Sequence, residues 1–241
     1  MIERRHLLAG ALAAPVVGSM LARPAFAADH AAAEKRLHDD WAWTGRYVEE
    51  NRQLIASRVP VGIVFMGDSI TQGWRDKRPG FFRPGRIGRG IGGQTSPQML
   101  VRFMADVVAL RPKAVHIMAG TNDIAGNTGP MTLEQTEATL TAMAQLATAN
   151  GIKVLLASVP PAGNFPWRPG LDTVTPIRAI NGWARGWAAR QRATFVDYTP
   201  VLADASGAMK AGLAYDGVHP TEAGYDAMAT VIEPVLKGMG L

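Results

Sequence analysis

Apolar positions along the chain follow two patterns. Val61-Gly62-Ile63-Val64-Phe65-Met66, Ala114-Val115-His116-Ile117-Met118 and Val154-Leu155-Leu156-Ala157 are continuous runs, as expected of strands buried on both faces. Shorter strands are predicted near Arg86–Ile91 and over Ala193–Val196. Between the runs the spacing turns helical. Leu133, Leu140, Met143 and Ala147 share one face of a helix that Thr132-Leu133-Glu134-Gln135 opens as a capping box and Asn150-Gly151 closes. Ser96-Pro97 predicts a helix with Ser96 as N-cap. Thr175-Pro176 starts another, through about Arg192, and Thr221 caps a last one, to about Lys237. Upstream, Trp41, Val48 and Ile55 stand at heptad spacing, which predicts a helical lead-in over residues 28–58 packed on the domain through that face. Strands alternating with helices imply βαβ units and a mostly parallel sheet covered on both sides. Ligands of such sheets sit at the carboxyl ends of the strands.

The first residues carry a different pattern. Glu3, Arg4, Arg5 and His6 precede an Ala-rich apolar stretch from Leu7 to Ala22, and Arg23-Pro24-Ala25-Phe26-Ala27 ends in an Ala-x-Ala cleavage pattern. This is the layout of an export signal over residues 1–27, and Arg4-Arg5 before Leu7-Leu8 resembles a twin-arginine signal. The stretch is shorter than the roughly 20 residues a membrane span needs. Cleavage after Ala27 would remove Arg4, Arg5, Arg23 and Glu3 and lower the net charge from +5 to +3. The expectation is a periplasmic or secreted protein, with residues 59–241 as its main domain and no stable membrane insertion of the mature chain.

Composition then narrows the chemistry. The absence of cysteine excludes disulfides, a thiol nucleophile and thiolate metal sites. The charge excess contains no run of five or six basic residues, so a nucleic-acid partner is not expected. What remains is a set of polar clusters that follow the strands: Gly67-Asp68-Ser69, Gly90–Thr95, Gly120-Thr121-Asn122-Asp123 and, before the last helix, Asp216-Gly217-Val218-His219-Pro220. They bring a hydroxyl, glycine amides, a carboxamide, a carboxylate and an imidazole to one sheet edge, the parts needed for acyl transfer through a serine. Five histidines compete for the role of base. His6 lies in the signal, His30 and His38 in the lead-in, and His116 inside an apolar strand, where a core histidine is expected. His219 alone lies in a loop beside an acid, Asp216. The candidate catalytic residues are Ser69, Asp216 and His219. The amides of Ser69 and Gly93 and the Asn122 side chain are the candidate oxyanion donors.

In these blocks the chain resembles the SGNH hydrolase superfamily, or GDSL esterase/lipase family. Gly67-Asp68-Ser69 matches its first block, Gly93 the glycine of the second, Gly120-Thr121-Asn122-Asp123 the third and Asp216–Pro220 the last, in order along about Trp41 to Lys237. The small bacterial branch related to platelet-activating-factor acetylhydrolase and carbohydrate acetylesterases is the most similar. The resemblance implies a three-layer, flavodoxin-like α/β/α fold with five parallel strands, the nucleophile at Ser69, and no metal or other cofactor.

Other readings are weaker. Gly88–Gly93 formally fits Gly-x-Gly-x-x-Gly but follows the second strand and lacks an acid about 20 positions on. Asp68 and Asp123 do not have metal-ligand spacing. Trp74, Phe81, Phe82 and Trp167 are either loop packing or a substrate wall. The expected activity is hydrolysis of short acyl esters, acetyl above all, on a small-molecule or glycan substrate with O-acetylated carbohydrate favoured. A lysophospholipase or thioesterase of the same fold is the alternative, and a non-catalytic carbohydrate-binding envelope protein the third reading.

Overall fold

Five parallel strands build the sheet: β1 Ile63–Gly67, β2 Arg86–Gly90, β3 Ala114–Met118, β4 Lys153–Ala157 and β5 Thr194–Val196, in the order β2-β1-β3-β4-β5. The computed structural model describes residues 34–36 and 38–241; the export-signal reading of residues 1–27 lies outside them. Residues 34–36 and 38–39 are helical, and residues 40–241 form a separate compact unit. Among the described residues no helix is long and apolar enough to cross a membrane.

The continuous apolar runs are where burial on both faces is complete. Every residue of β1 and β3 is buried, and β4 is buried after its exposed Lys153. The helices are α1 Val48–Ser57, α2 Ser69–Lys77, α3 Ser96–Asp106, α4 Thr121–Ala125, α5 Leu133–Ala149, α6 Val174–Gln191, α7 Thr199–Leu202 and α8 Glu222–Gly238. On one face α3 packs between α1 and α5, and α5 on α6. The other face is covered by α2 and α8, joined where the Tyr225 hydroxyl donates to the Ile70 carbonyl at 2.9 Å and Arg78 forms a two-pronged pair with Asp226 at 2.7 Å. Three layers result, as the family resemblance implied.

Two local expectations are corrected. Thr95 rather than Ser96 is the N-cap of α3: it forms a capping box with Gln98, and Pro97 falls one position inside the helix. Ser96 is drawn instead onto Asp123, which accepts from its backbone N–H at 3.0 Å and from its hydroxyl. The heptad stripe is also not a packing face. Trp41, Val48 and Ile55 are 40%, 57% and 54% exposed, and a 3-10 turn, Thr44–Tyr47, precedes the helix. Its inward residues are Tyr47 and Asn51, because the strand edge they cover carries the buried Arg89. The Asn51 carbonyl oxygen accepts from Arg89 Nε and Nη2 at 2.9 and 2.7 Å, and the Tyr47 hydroxyl donates to the Gly90 carbonyl at 2.5 Å. A polar strand edge called for polar partners, which apolar periodicity cannot reveal.

Candidate active site

β1 ends at Gly67, and the chain turns at once into α2. Asp68 caps that helix, its Oδ1 accepting from the Ile70 N–H at 2.9 Å. Ser69, the first helical residue, is thereby presented half-buried at the carboxyl edge of the sheet. The turn passes so close to β2 that a Cβ on Gly90 would collide with the Gln72 backbone nitrogen, so only glycine fits there.

Across the edge, the loop before α8 folds back on itself. Gly217 takes a left-handed φ of 84°, and the Asp216 carboxylate accepts from the Val218 and His219 N–H groups at 2.9 and 2.7 Å. Its other oxygen stands 2.6 Å from His219 Nδ1. With Nδ1–H donating there, Nε2 is left as an acceptor, and it lies 2.8 Å from Ser69 Oγ. Partial burial works to raise the Asp216 carboxyl, but the hydrogen bonds from His219 and Val218 outweigh it and hold the group below the usual carboxylate range. The structure thus brings Ser69, His219 and Asp216 into one hydrogen-bonded chain.

Opposite this chain lie the candidate donors. Gly93 adopts φ 76° in the loop after β2, and a Cβ on neighbouring Gly92 would sit 3.7 Å from that of Ser69. Asn122, buried at the start of α4, donates to the Gln94 carbonyl at 3.0 Å, with a longer contact of 3.3 Å to Asp68. Its Oδ1 accepts from Asn127 Nδ2 at 2.8 Å. The Asp68 carboxyl is pushed up to about 6 by burial, against the lowering effect of the Ile70 hydrogen bond and the nearby His219. Both Asp68 and Asp123 point at hydrogen-bond donors, the latter at Ser96 and Thr136.

Beneath the candidate donors sits Arg102, a fully buried residue that carries no motif. Its guanidinium donates to Gln94 Oε1 at 2.7 Å, to Asp106 at 2.9 Å, and to the Gly67 and Arg89 carbonyls at 3.1 and 2.8 Å. It ties the ends of β1 and β2 to the Gly90–Thr95 loop. The signal that could have found it is the i, i+4 pair Arg102–Asp106 on the same helical stripe as Met99 and Phe103.

The aromatic candidates separate. Trp74 is fully buried, stacked on Phe81 at 4.5 Å and on Tyr225 at 5.8 Å, so it packs the core and cannot stack on a substrate. Trp167 is 38% exposed, lies on Phe165, and its ring centroid is 6.1 Å from that of His219. Tyr215, which drew no attention in the sequence, is 61% exposed and stacks 5.9 Å from the same imidazole. His116 is a core residue: its Nε2 lies 3.0 Å from the Tyr198 hydroxyl, and burial pushes it down to about 3. A cavity of about 500 Å³ against β2, lined among others by Glu50, Arg75, Phe82 and Arg89, contains none of the triad or donor residues. The site is therefore located by its polar geometry rather than by the size of a hollow.

Residues 65–227 match the GDSL-like lipase/acylhydrolase family. A GDSL-like lipase from Bacteroides thetaiotaomicron VPI-5482 is 42% identical, with a TM-score of 0.78 covering 83% of this chain and 100% of that one. Esterase TesA of Pseudomonas aeruginosa is 29% identical over 151 residues, 63% of this chain and 69% of that protein. The acetyl xylan esterase AlAXEase, 21% identical with a TM-score of 0.58 over 73% of this chain and 99% of its own, shares the fold. The chain belongs to the GDSL-like lipase/acylhydrolase family and is an ester hydrolase of that type.

Proposed function

We propose that this family member is an exported serine esterase that removes short acyl groups, acetyl above all, from carbohydrates. The observation that carries the reading is the continuous chain from Ser69 Oγ through His219 to Asp216, at 2.8 and 2.6 Å. In the proposed cycle His219 Nε2 takes the hydroxyl proton as Ser69 Oγ attacks the ester carbonyl. Asp216 holds the Nδ1–H tautomer and stabilises the imidazolium that forms. Negative charge gathers on the carbonyl oxygen, where the amides of Ser69 and Gly93 and the Asn122 carboxamide are its donors. Collapse breaks the ester C–O bond, the alcohol leaves with the proton from His219, and water then releases the acyl group from Ser69 by the same steps in reverse.

Two observations support the carbohydrate half. Trp167 and Tyr215, 38% and 61% exposed, flank His219, and aromatic side chains there suit contact with a pyranose. An acetyl xylan esterase has the same fold. Short acyl groups are favoured because strands and helices occupy most of residues 63–238, leaving no long apolar insertion to form an acyl tunnel. Export rests on Arg4-Arg5 and the Ala-x-Ala pattern, and replacing both arginines by lysine is expected to trap precursor in the cytoplasm.

The test is kcat/KM for p-nitrophenyl esters from acetate to decanoate, with acetylated xylan, lysophospholipid and acyl-CoA alongside. The expected result is a maximum at acetate, acetate release from the glycan, and loss of turnover in Ser69→Ala. Each buried CH₂ contributes about 0.8 kcal/mol, so an extended acyl groove would show itself as rates rising toward octanoate. That result, with turnover of lysophospholipid or acyl-CoA and none of any glycan, would replace the proposal by a lysophospholipase or thioesterase. Activity that survives Ser69→Ala would remove the serine mechanism.

A further inference from the structure

We infer that Asn127 is a positioning residue that sets the oxyanion donors and links them to the substrate-facing Trp167. The inference rests on the proposed serine mechanism and on a run of hydrogen bonds at the cleft rim. Trp167 Nε1 lies 3.1 Å from Asn127 Oδ1, and Asn127 Nδ2 lies 2.8 Å from Asn122 Oδ1 and 3.2 Å from the Gly93 carbonyl. An indole N–H can only donate. It therefore dictates which end of the Asn127 amide faces it, an orientation that coordinates alone leave ambiguous for a carboxamide. With its oxygen held toward Trp167, Asn127 must present its N–H groups to Asn122 Oδ1 and to Gly93.

Those two acceptors belong to the two proposed donors that lie off the nucleophile. Anchoring Asn122 Oδ1 turns the Asn122 amide nitrogen toward Gln94 and Asp68. One N–H is taken by the Gln94 carbonyl at 3.0 Å; the other makes the weaker bond, to Asp68 at 3.3 Å, and is the one an oxyanion would take over. Holding the Gly93 carbonyl steadies a residue at φ 76°, whose N–H is the second donor. The relay also has a scaffold: the Asn127 N–H donates to the Asn122 carbonyl at 3.1 Å, across the left-handed turn at Gly126, so both side chains ride on one short loop. Its far end is the ring that lies 6.1 Å from His219. A leaving group stacked on Trp167 and the donors that stabilise the developing charge are thus mechanically joined, which lets binding on the alcohol side favour the transition state rather than the ground state.

Asn127 is itself exposed, so its replacement leaves the core intact. The experiment compares Asn127→Ala, Asn127→Asp, Trp167→Phe and the double variant Asn127→Ala/Trp167→Phe on p-nitrophenyl acetate, with Tm and the inactive Ser69→Ala as controls. Asn127→Asp keeps the acceptor for Trp167 but has no N–H to donate. Trp167→Phe keeps a ring against Phe165 and His219 but loses the donor. Asn127→Ala and Asn127→Asp are expected to lower kcat roughly 10- to 100-fold, below the ~100- to 1000-fold cost of deleting an oxyanion donor outright. KM and Tm should stay close to wild type. Trp167→Phe is expected to lower kcat several-fold, and the double variant to match Asn127→Ala alone, because both act through one path. Wild-type kcat in the Asn127 variants, a loss confined to KM, no effect of Trp167→Phe, or losses that multiply in the double variant would each overturn the inference. Turnover surviving in Ser69→Ala would instead overturn the mechanism beneath it.

Discussion

The two sides of the cleft are built in opposite ways. The proposed acid–base side is one short loop: Asp216 and His219 are three residues apart, partly exposed, and held by hydrogen bonds within the loop itself. The proposed donor side is assembled from separate segments. Gly93 follows β2, Asn122 opens α4, and both rest on a buried polar network in which Arg102 joins Gly67, Arg89, Gln94 and Asp106. A local loop can lose its chemistry without losing the fold. A distributed network cannot, because each member also satisfies a buried group elsewhere.

The sharpest break of this contrast pairs one substitution from each side. His219→Ala or Asp216→Asn is expected to lower kcat roughly ten-thousand-fold, the scale of removing a triad member, with Tm nearly unchanged. Asn122→Ala is expected to cost ~100- to 1000-fold in kcat and to lower Tm as well, since it leaves the Gln94 carbonyl without its donor. Kinetics and thermal melts on the same samples check both; a large Tm loss in His219→Ala, or none in Asn122→Ala, would erase the distinction.

The next effect lies in the network alone. Arg102→Met leaves the Asp106 charge, 1% exposed, with the Asn51 amide but no cation, and breaking a buried pair from one side typically costs about 3–5 kcal/mol. Adding Asp106→Leu removes the unpaired charge at the cost of the Asn51 bond, so the double variant should regain part of that loss in denaturant unfolding. Its activity should stay low, because Gln94 and Gly67 remain untethered. Full recovery of kcat in the double variant would mean that Arg102 serves stability only.

The same contrast shows what the sequence could reveal. β1, β3 and β4 were legible because burial on both faces leaves an unbroken apolar run, and the Thr132 capping box and the loop blocks are local patterns; the Thr95 capping box was hidden by the Ser96-Pro97 pair beside it. That Ser69, Asp216 and His219 come together was legible for the same reason: two of them share a five-residue motif, and the third follows a strand. Arg89 and Arg102 were not. A buried arginine looks like any surface arginine until the groups it meets from other segments are known. The Trp41–Val48–Ile55 stripe misled because the face that packs is polar, with Asn51 serving Arg89. Trp74 and Trp167 looked equivalent as aromatics in strand-end segments; long-range stacking on Tyr225 sends one into the core.

A smaller effect belongs to His116, away from both sides of the cleft. Its folded-state value of about 3 lies below the unfolded ~6.5, so the unfolded chain binds the extra proton between these limits. The contribution to stability is complete above about pH 6.5 and declines as pH falls toward 3. From pH 7 to 5 the loss is roughly 2 kcal/mol. His116→Gln should show a shallower decline of Tm over that range than wild type; parallel curves would contradict the assignment. Asp68 works in the other direction. Its raised value favours the folded state as pH falls from about 6 toward 4, so His116→Gln also exposes that opposing slope.

Ser69 as the proposed nucleophile, and His219 as the base that activates it, are tested most directly by treatment with a fluorophosphonate followed by peptide mass spectrometry. One adduct per chain is expected, on Ser69 Oγ, forming in step with loss of esterase activity and far more slowly in His219→Ala. Inactivation with the adduct on another residue, or unmodified Ser69 in fully inactivated enzyme, would contradict these roles.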